Sequence, residues 1–180
     1  MKKIFFIIAT LFASNSQAQV TKVSLQASGL TCSMCSNSIN KSLQSLDYIE
    51  KVMANIKTST FEITFKPNAK IDFDELKKKV EDAGFSVASL SASVNFDNLQ
   101  IQKDQHVVYE GMTIHFLNAN GQMLNGVQTI QVVDKGYVSA KSFKKNQLYT
   151  TMDCYKTGVA GTCCSKDGLK QGSRIYHVTI

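Results

Sequence analysis

Residues 20–90 show two hydrophobic periods, which together predict four strands and two helices. Apolar residues at every second position indicate half-buried strands, and they occur at residues 23–27, 52–56 and 61–65, with a last strand at Phe85, Val87 and Ser89. Apolar residues at offsets of three and four indicate helices, and they occur at Ile39, Leu43 and Leu46 and then at Phe73, Leu76, Val80 and Ala83. The predicted order is strand, helix, strand, strand, helix, strand.

Signals at the ends of these elements support the same order. Pro67 ends the hairpin of the second and third strands, because proline cannot donate a ladder hydrogen bond. Asp72, with Glu75 three residues later, predicts the start of the second helix, and Gly84 predicts its end. The βαββαβ order predicts a ferredoxin-like sandwich with both helices on one face of an antiparallel sheet.

Residues 94–180 show a different pattern, with short alternating runs separated by turns and no helical stripe. These runs lie at residues 112–116, 130–133, 137–143, 148–155 and 174–180. Strands at this spacing predict a small all-β barrel or sandwich. We therefore expect an α+β chain with two domains, 19–90 and 94–180, joined by a short linker at residues 91–93.

Two thiols stand three residues apart where the first helix begins. Cys32 falls in the entering loop and Cys35 at the helix start. Unpaired backbone N–H groups and the positive end of the helix dipole favour a thiolate over a thiol there. A pair of adjacent thiolates prefers Cu(I), Zn(II) or a similarly soft ion to Mg²⁺ or Ca²⁺.

The first domain resembles a heavy-metal-associated domain, the module of copper chaperones, copper-pumping ATPases and the periplasmic mercuric-ion-binding protein. The residues that carry the resemblance are Gly29-Leu30-Thr31-Cys32-Ser33-Met34-Cys35, the hairpin at residues 52–65, and Ala83-Gly84-Phe85. The resemblance implies that Cys32 and Cys35 bind the ion. Leu30 stands where the family usually has methionine, and we expect it to pack under the loop in the same way.

Two other roles for the Cys32–Cys35 motif can be compared with metal binding. A thioredoxin-type dithiol needs a cis-proline facing the disulfide, but Pro67 is the only proline, and it ends a hairpin. A hairpin directly after the first helix also contradicts the thioredoxin order of elements. A structural disulfide remains open, although a bridge that closes so short a loop removes little chain entropy.

Three further cysteines, Cys154, Cys163 and Cys164, lie in the second domain. We expect one disulfide from Cys154 to Cys163 or Cys164, which leaves one free thiol, because export favours oxidation. The alternative is a second soft-metal site formed by the three cysteines and His177, a closed zinc-like ligand set without a standard spacing. The isolated His106 and His115 are expected to be structural or exposed.

Residues 1–18 have the pattern of a signal peptide. Lys2 and Lys3 precede an apolar run at residues 4–13, and Ser16-Gln17-Ala18 forms a small-x-small cleavage site. The run is about half of the roughly 20 residues that a membrane span needs. We therefore expect cleavage before Gln19, a periplasmic or secreted protein, and no stable membrane insertion.

Charge and composition exclude some function classes. The formal net charge is +6, but the basic runs at residues 77–79 and 144–145 are not interleaved with aromatic residues. They are typical of solvated faces, so we expect no nucleic-acid partner. No Ser/His/Asp order, paired carboxylates or glycine-rich phosphate loop occurs in the sequence, so we expect no enzyme.

These observations predict an exported carrier or sequestering protein for a soft metal ion. We expect Cu(I) at Cys32 and Cys35, with Hg(II) or Zn(II) as alternatives, and a protein that donates or accepts the ion as partner. The competing hypothesis is a protein-interaction or metal- and redox-sensing module in which the second domain binds the partner.

Overall fold

The computed structural model describes residues 20–30 and 32–180, so the predicted signal peptide lies outside the described residues. The strands are β1 (Val20–Ser28), β2 (Ile49–Asn55), β3 (Thr60–Phe65), β4 (Ser86–Gln100), β5 (His106–Tyr109), β6 (Met112–Phe116), β7 (Met123–Val132) and β8 (Ile175–Thr179). The α-helices are α1 (Ser33–Gln44), α2 (Phe73–Asp82), α3 (Ala140–Asn146) and α4 (Cys154–Thr157). Two 3₁₀ helices span Gln147–Tyr149 and Thr162–Asp167. Among the described residues, no helix is long and apolar enough to cross a bilayer.

The amino-terminal half has the predicted ferredoxin-like fold. Its strands lie in the order β2-β3-β1-β4, and all of their pairings are antiparallel. The two helices contact each other, and Ser42 Oγ donates to the Lys79 carbonyl at 2.7 Å. Asp72 caps α2 by accepting from the backbone N–H groups of Asp74 and Glu75, as its position in the sequence predicted.

Strand β4 corrects the prediction of a linker at residues 91–93. It runs without a break for 15 residues and pairs with β1 on one side and β7 on the other. Leu90, Ala92, Val94 and Phe96 are buried, whereas the alternate residues are partly exposed. The serines at 91 and 93 are thus the outer positions of a strand, because the period of two continues through them.

The carboxy-terminal half is not all-β, and this prediction was wrong. Its strands extend the same sheet in the order β4-β7-β8-β6-β5, with β6 and β8 parallel, and residues 139–168 contain α3, α4 and both 3₁₀ helices. The run at 137–143 leads into α3, and the run at 148–155 contains a 3₁₀ turn and the start of α4. Every residue of α3 is at least partly exposed, so no apolar stripe marks it in the sequence.

The two halves of the chain share a hydrophobic core. One cluster of buried side chains contains Leu25 and Phe73 from the first half together with Phe116 and Val178 from the second. The rings of Phe73 and Tyr176 meet edge to face at 5.1 Å between centroids. The two halves are therefore joined by a continuous sheet and by side-chain packing.

Candidate metal sites

Cys32 and Cys35 lie at the exposed amino-terminal end of α1. Cys32 is the N-cap residue, with an extended backbone, and its Sγ accepts from the Cys35 backbone N–H at 3.2 Å. The first turn of α1 contains no acidic side chain, so the positive end of the helix dipole is not opposed locally. A sulfur held there receives both a hydrogen bond and a favourable field, and both stabilise a thiolate.

The two sulfurs of this motif are directly adjacent. In the structure Cys32 and Cys35 are linked as a disulfide, with their Cα atoms 5.4 Å apart. Cys32 is exposed and Cys35 is half-buried, while Met34 between them is 79% exposed and points away from the core. Leu30 packs against the main core cluster, which fits its expected position beneath the loop. After reduction, this arrangement presents two soft donors to solvent at one surface.

The structure also brings Cys154, Cys163 and Cys164 together. Cys154 begins α4, and the vicinal pair lies in the second 3₁₀ helix. The three sulfurs lie within 4.8 Å of one another, and the Sγ atoms of Cys163 and Cys164 are 3.3 Å apart. All three are free thiols, so the expected bridge from Cys154 to one of the pair is absent among these described residues. Burial, and next the neighbouring Cys164, raises the pKa of Cys154.

The histidine beside these cysteines is His106, not His177 as the sequence suggested. The Nε2 atom of His106 lies 3.5 Å from Cys154 Sγ, and its Nδ1 lies 2.6 Å from an Asp167 carboxylate oxygen. His177 is instead held by Asp134, at 2.7 Å from its Nδ1. Sequence reasoning missed His106 because 48 residues separate it from Cys154.

His106, His115 and His177 form a row across three neighbouring strands. His106 pairs with His115 between β5 and β6, and His115 pairs with His177 between β6 and β8. Their ring centroids are 4.8 and 5.1 Å apart. The sequence contained a signal for the pairing of His106 with His115, because both residues are equally far from the turn at Glu110-Gly111. The positive φ angles of 51° and 76° at that turn are those of a tight hairpin.

His115 is the least satisfied polar side chain of this row. It is fully buried, and neither of its ring nitrogens has a hydrogen-bond partner among the described residues. The nearest carboxylate oxygen, from Asp104, is 3.5 Å from Nε2. Burial, and then the neighbouring His177 and His106, lower the pKa of His115 to about 3. The imidazole is therefore neutral at physiological pH and keeps a free lone pair.

Known proteins are similar to this chain in its first half, where a family profile matches. Residues 24–86 fit the profile of the heavy-metal-associated domain. The mercuric transport protein periplasmic component of Serratia marcescens is 34% identical over 87 residues, which cover 47% of this chain and 93% of that protein. The crystal structure of oxidized MerP from Ralstonia metallidurans CH34 is 32% identical, with a TM-score of 0.34, and covers 39% of this chain and 94% of that one.

Copper ATPases are also similar to this chain, but only over a small part of their own length. The probable copper-exporting P-type ATPase of Archaeoglobus fulgidus is 30% identical over 100 residues, which cover 56% of this chain and 12% of the ATPase. The family profile covers the segment that forms the βαββαβ fold, and this chain covers nearly all of the Serratia protein. The chain belongs to the heavy-metal-associated domain family.

Proposed function

We propose that this protein is an extracytoplasmic carrier or sequestering protein that binds Cu(I) between Cys32 and Cys35. The observation that carries the proposal is the adjacency of these two sulfurs at the exposed amino-terminal end of α1. Hg(II) and Zn(II) are the alternative ions, because both accept thiolate ligands. The name of the similar Serratia protein, a periplasmic component of mercuric transport, supports both Hg(II) and export.

Loading and release follow from the accessibility of the pair. The disulfide first takes two electrons and two protons from a thiol reductant, and the ion then displaces the protons of the two thiols. With two sulfur ligands on an exposed ion, a thiolate of a donor or acceptor protein can add as a third ligand. One of the two cysteines then leaves, so the ion moves without being released into water. This exchange needs no catalytic residue.

We expect the double substitution Cys32→Ser with Cys35→Ser to remove one equivalent of tightly bound Cu(I) per chain. Serine hydroxyls are poor ligands for a soft ion. Cys32 is exposed and Cys35 only half-buried, so the fold should be retained. The measurement is an anaerobic titration of reduced residues 19–180 with Cu(I) against a chromophoric chelator, repeated with Hg(II) and Zn(II). Circular dichroism checks the fold.

The exposed Ser33→Ala variant is the matched control, since it alters the same loop and keeps both thiols. It should bind as many equivalents as the wild type. An unchanged number of Cu(I) equivalents in the double variant would contradict the proposal.

The disulfide itself supports a second candidate, a redox-responsive interaction module. In that case the reduced wild-type protein would bind no ion at Cys32 and Cys35. The same titration therefore separates the two functions.

A further inference from the structure

We propose that Cys154, Cys163, Cys164 and His106 form a second metal site, a buried tetrahedral site for Zn(II) in the carboxy-terminal half. This site is separate from the Cys32–Cys35 motif, and it lies outside the segment that matches the family profile, residues 24–86. It does not depend on the proposed carrier function. Four observations carry the assignment.

The first observation is the spacing of the donor atoms. Zn–S bonds of about 2.3 Å and Zn–N bonds of about 2.0–2.1 Å place the donors of a tetrahedral site about 3.5–3.8 Å apart. Cys154 Sγ and His106 Nε2 are 3.5 Å apart, and the sulfurs of Cys163 and Cys164 are 3.3 Å apart. All three sulfurs lie within 4.8 Å of one another. The two donor pairs, His106 with Cys154 and Cys163 with Cys164, are therefore close to the separations that a bound ion imposes, and Cys154 belongs to the groups of both.

The second observation is the carboxylate behind His106. A histidine that binds zinc through one ring nitrogen commonly donates the other N–H to a carboxylate, which fixes the tautomer and the ring orientation. Asp167 accepts from His106 Nδ1 at 2.6 Å, and the side chain of His106 is fully buried. This hydrogen bond leaves the lone pair of Nε2 available on the side where Cys154 lies.

The third observation is the unsatisfied imidazole of His115. A buried polar group without a partner is rare, so the position of this imidazole is informative. One ring nitrogen of His115 lies within 4.8 Å of the donor atoms of both His106 and Cys154. Cys154 thus belongs to two groups of potential ligands, the three cysteines and the Cys154–His106–His115 group. Nitrogen donors from two histidines thus converge on Cys154, and His115 is not counted among the four ligands.

The fourth observation is the surroundings of the thiols. The cysteines share a small apolar cluster with Ala160 and Ile175, against which Met152 and Leu169 pack. This cluster is separate from the main core, and it packs α4 and the second 3₁₀ helix against Ile175 of β8. An ion with four protein ligands would link α4, the second 3₁₀ helix and β5. Such cross-linking is typical of structural zinc sites, which have closed coordination.

Three thiolates with one imidazole favour Zn(II) at this site. A ligand set of three sulfurs and one imidazole nitrogen suits a tetrahedral ion, whereas the exposed pair at Cys32 and Cys35 suits an ion with low coordination. The chain would then hold two different ions in two different ways, with a labile one at the surface and a fixed one inside.

The test is a Co(II) and Zn(II) titration of the full-length mature chain that carries Cys32→Ser and Cys35→Ser, reduced and without oxygen. Because the surface motif is removed, every remaining equivalent reports on the second half. We expect one equivalent of Co(II), with the intense visible bands of tetrahedral thiolate coordination, and its displacement by one equivalent of Zn(II). A folded protein that binds neither ion would overturn the proposal.

Two further variants locate the site. In the same background, Cys163→Ser should weaken Zn(II) binding by about 100-fold or more, and Asp167→Asn by about 10- to 100-fold with the tetrahedral Co(II) spectrum retained. Both positions are only half-buried, so the variants should fold. Ser165→Ala, an exposed position in the same 3₁₀ helix, is the matched control and should bind normally.

Two results would overturn the assignment of Cys154, Cys163, Cys164 and His106 as zinc ligands. One is Zn(II) affinity unchanged by Cys163→Ser. The other is a disulfide from Cys154 to Cys163 or Cys164, found by mass spectrometry of the exported protein isolated without reductant, because a bridged pair cannot supply two thiolates. Protection of all three thiols from alkylation by added Zn(II) is the supporting result.

Discussion

Replacing Arg174 with alanine is expected to lower the free energy of unfolding by about 3 kcal/mol, the low end of the roughly 3–5 kcal/mol lost when a buried ion pair is broken, because the Arg174 side chain is 28% exposed. The guanidinium binds both carboxylate oxygens of Asp74 on α2, at 2.6 and 3.1 Å, and reaches Asp134 at 3.2 Å. The Asp134 side chain is only 5% exposed, so its charge would lose a cation without gaining water. Arg174 also covers the ring of Tyr176 at 4.2 Å. One side chain therefore joins α2 of the first half to the second half.

The measurement is chemical denaturation followed by far-UV circular dichroism. Lys170→Ala, which removes an exposed cation four residues away, should change stability by less than about 0.5 kcal/mol. Arg174→Lys should lie between the two, because lysine keeps the charge and loses the two-pronged contact. If Arg174→Ala lowers the free energy of unfolding no more than Lys170→Ala does, the contacts of Arg174 with Asp74 and Asp134 contribute nothing to stability.

The effect of Arg174 should also depend on pH. Burial by itself would raise the pKa of Asp74, but hydrogen bonds from Arg174 and Tyr137 outweigh it, and the pKa is lowered. A lowered pKa in the folded state stabilises the protein above the pKa of the unfolded chain, about 3.9, and this stabilisation is lost as the pH falls further. The stability difference between wild type and Arg174→Ala should therefore narrow below about pH 4.

Replacing Leu90 with alanine is expected to cost about 3 kcal/mol and to destabilise both halves together. Leu90 is fully buried in β4, between Leu25 of β1 and Val132 of β7 in register. Deleting a leucine side chain from a packed core removes apolar contacts and leaves a cavity, at a typical cost of 2–5 kcal/mol. Because β4 is shared by both halves of the sheet, the loss of stability is expected in both halves.

The readout is hydrogen exchange measured by mass spectrometry under native conditions. Peptides from β3 and from β8 should lose protection in parallel in Leu90→Ala, since strands in one cooperative unit open together. Ser91→Ala, the next residue on the opposite face of the same strand, is the control and should leave both peptides unchanged. Loss of protection in β3 alone would support two domains that fold separately, as the change of sequence pattern near residue 90 suggested.

The proposed copper or mercury site in the first half and the proposed zinc site in the second half are tested by separate experiments. Loss of Cu(I) binding in Cys32→Ser with Cys35→Ser tests only the surface motif, whereas the Co(II) titration in that background tests only the buried cluster. A protein with both sites would respond to two ions through unrelated ligand sets.

The sequence by itself determined the order of elements in the amino-terminal half and the position of the Cys32–Cys35 motif. Both are local features. A period of two or of 3.6 reports on a single element, and Pro67, Asp72 and Gly84 act within one turn of their own positions. The resemblance to the heavy-metal-associated domain rested on the same local features, and the comparisons confirmed it.

Only the tertiary structure decided how the second half is arranged. Alternation shows that a segment is a strand but not which strand lies next to it, so the parallel pairing of β6 with β8 was not visible. The helices there are short and α3 buries little, so no stripe predicted them. The cluster of Cys154, Cys163, Cys164 and His106 depends on these pairings, because it joins residues up to 58 positions apart along the chain. Contacts of that range are set by which faces of the elements pack together, and that information lies in the whole chain rather than in any one stretch.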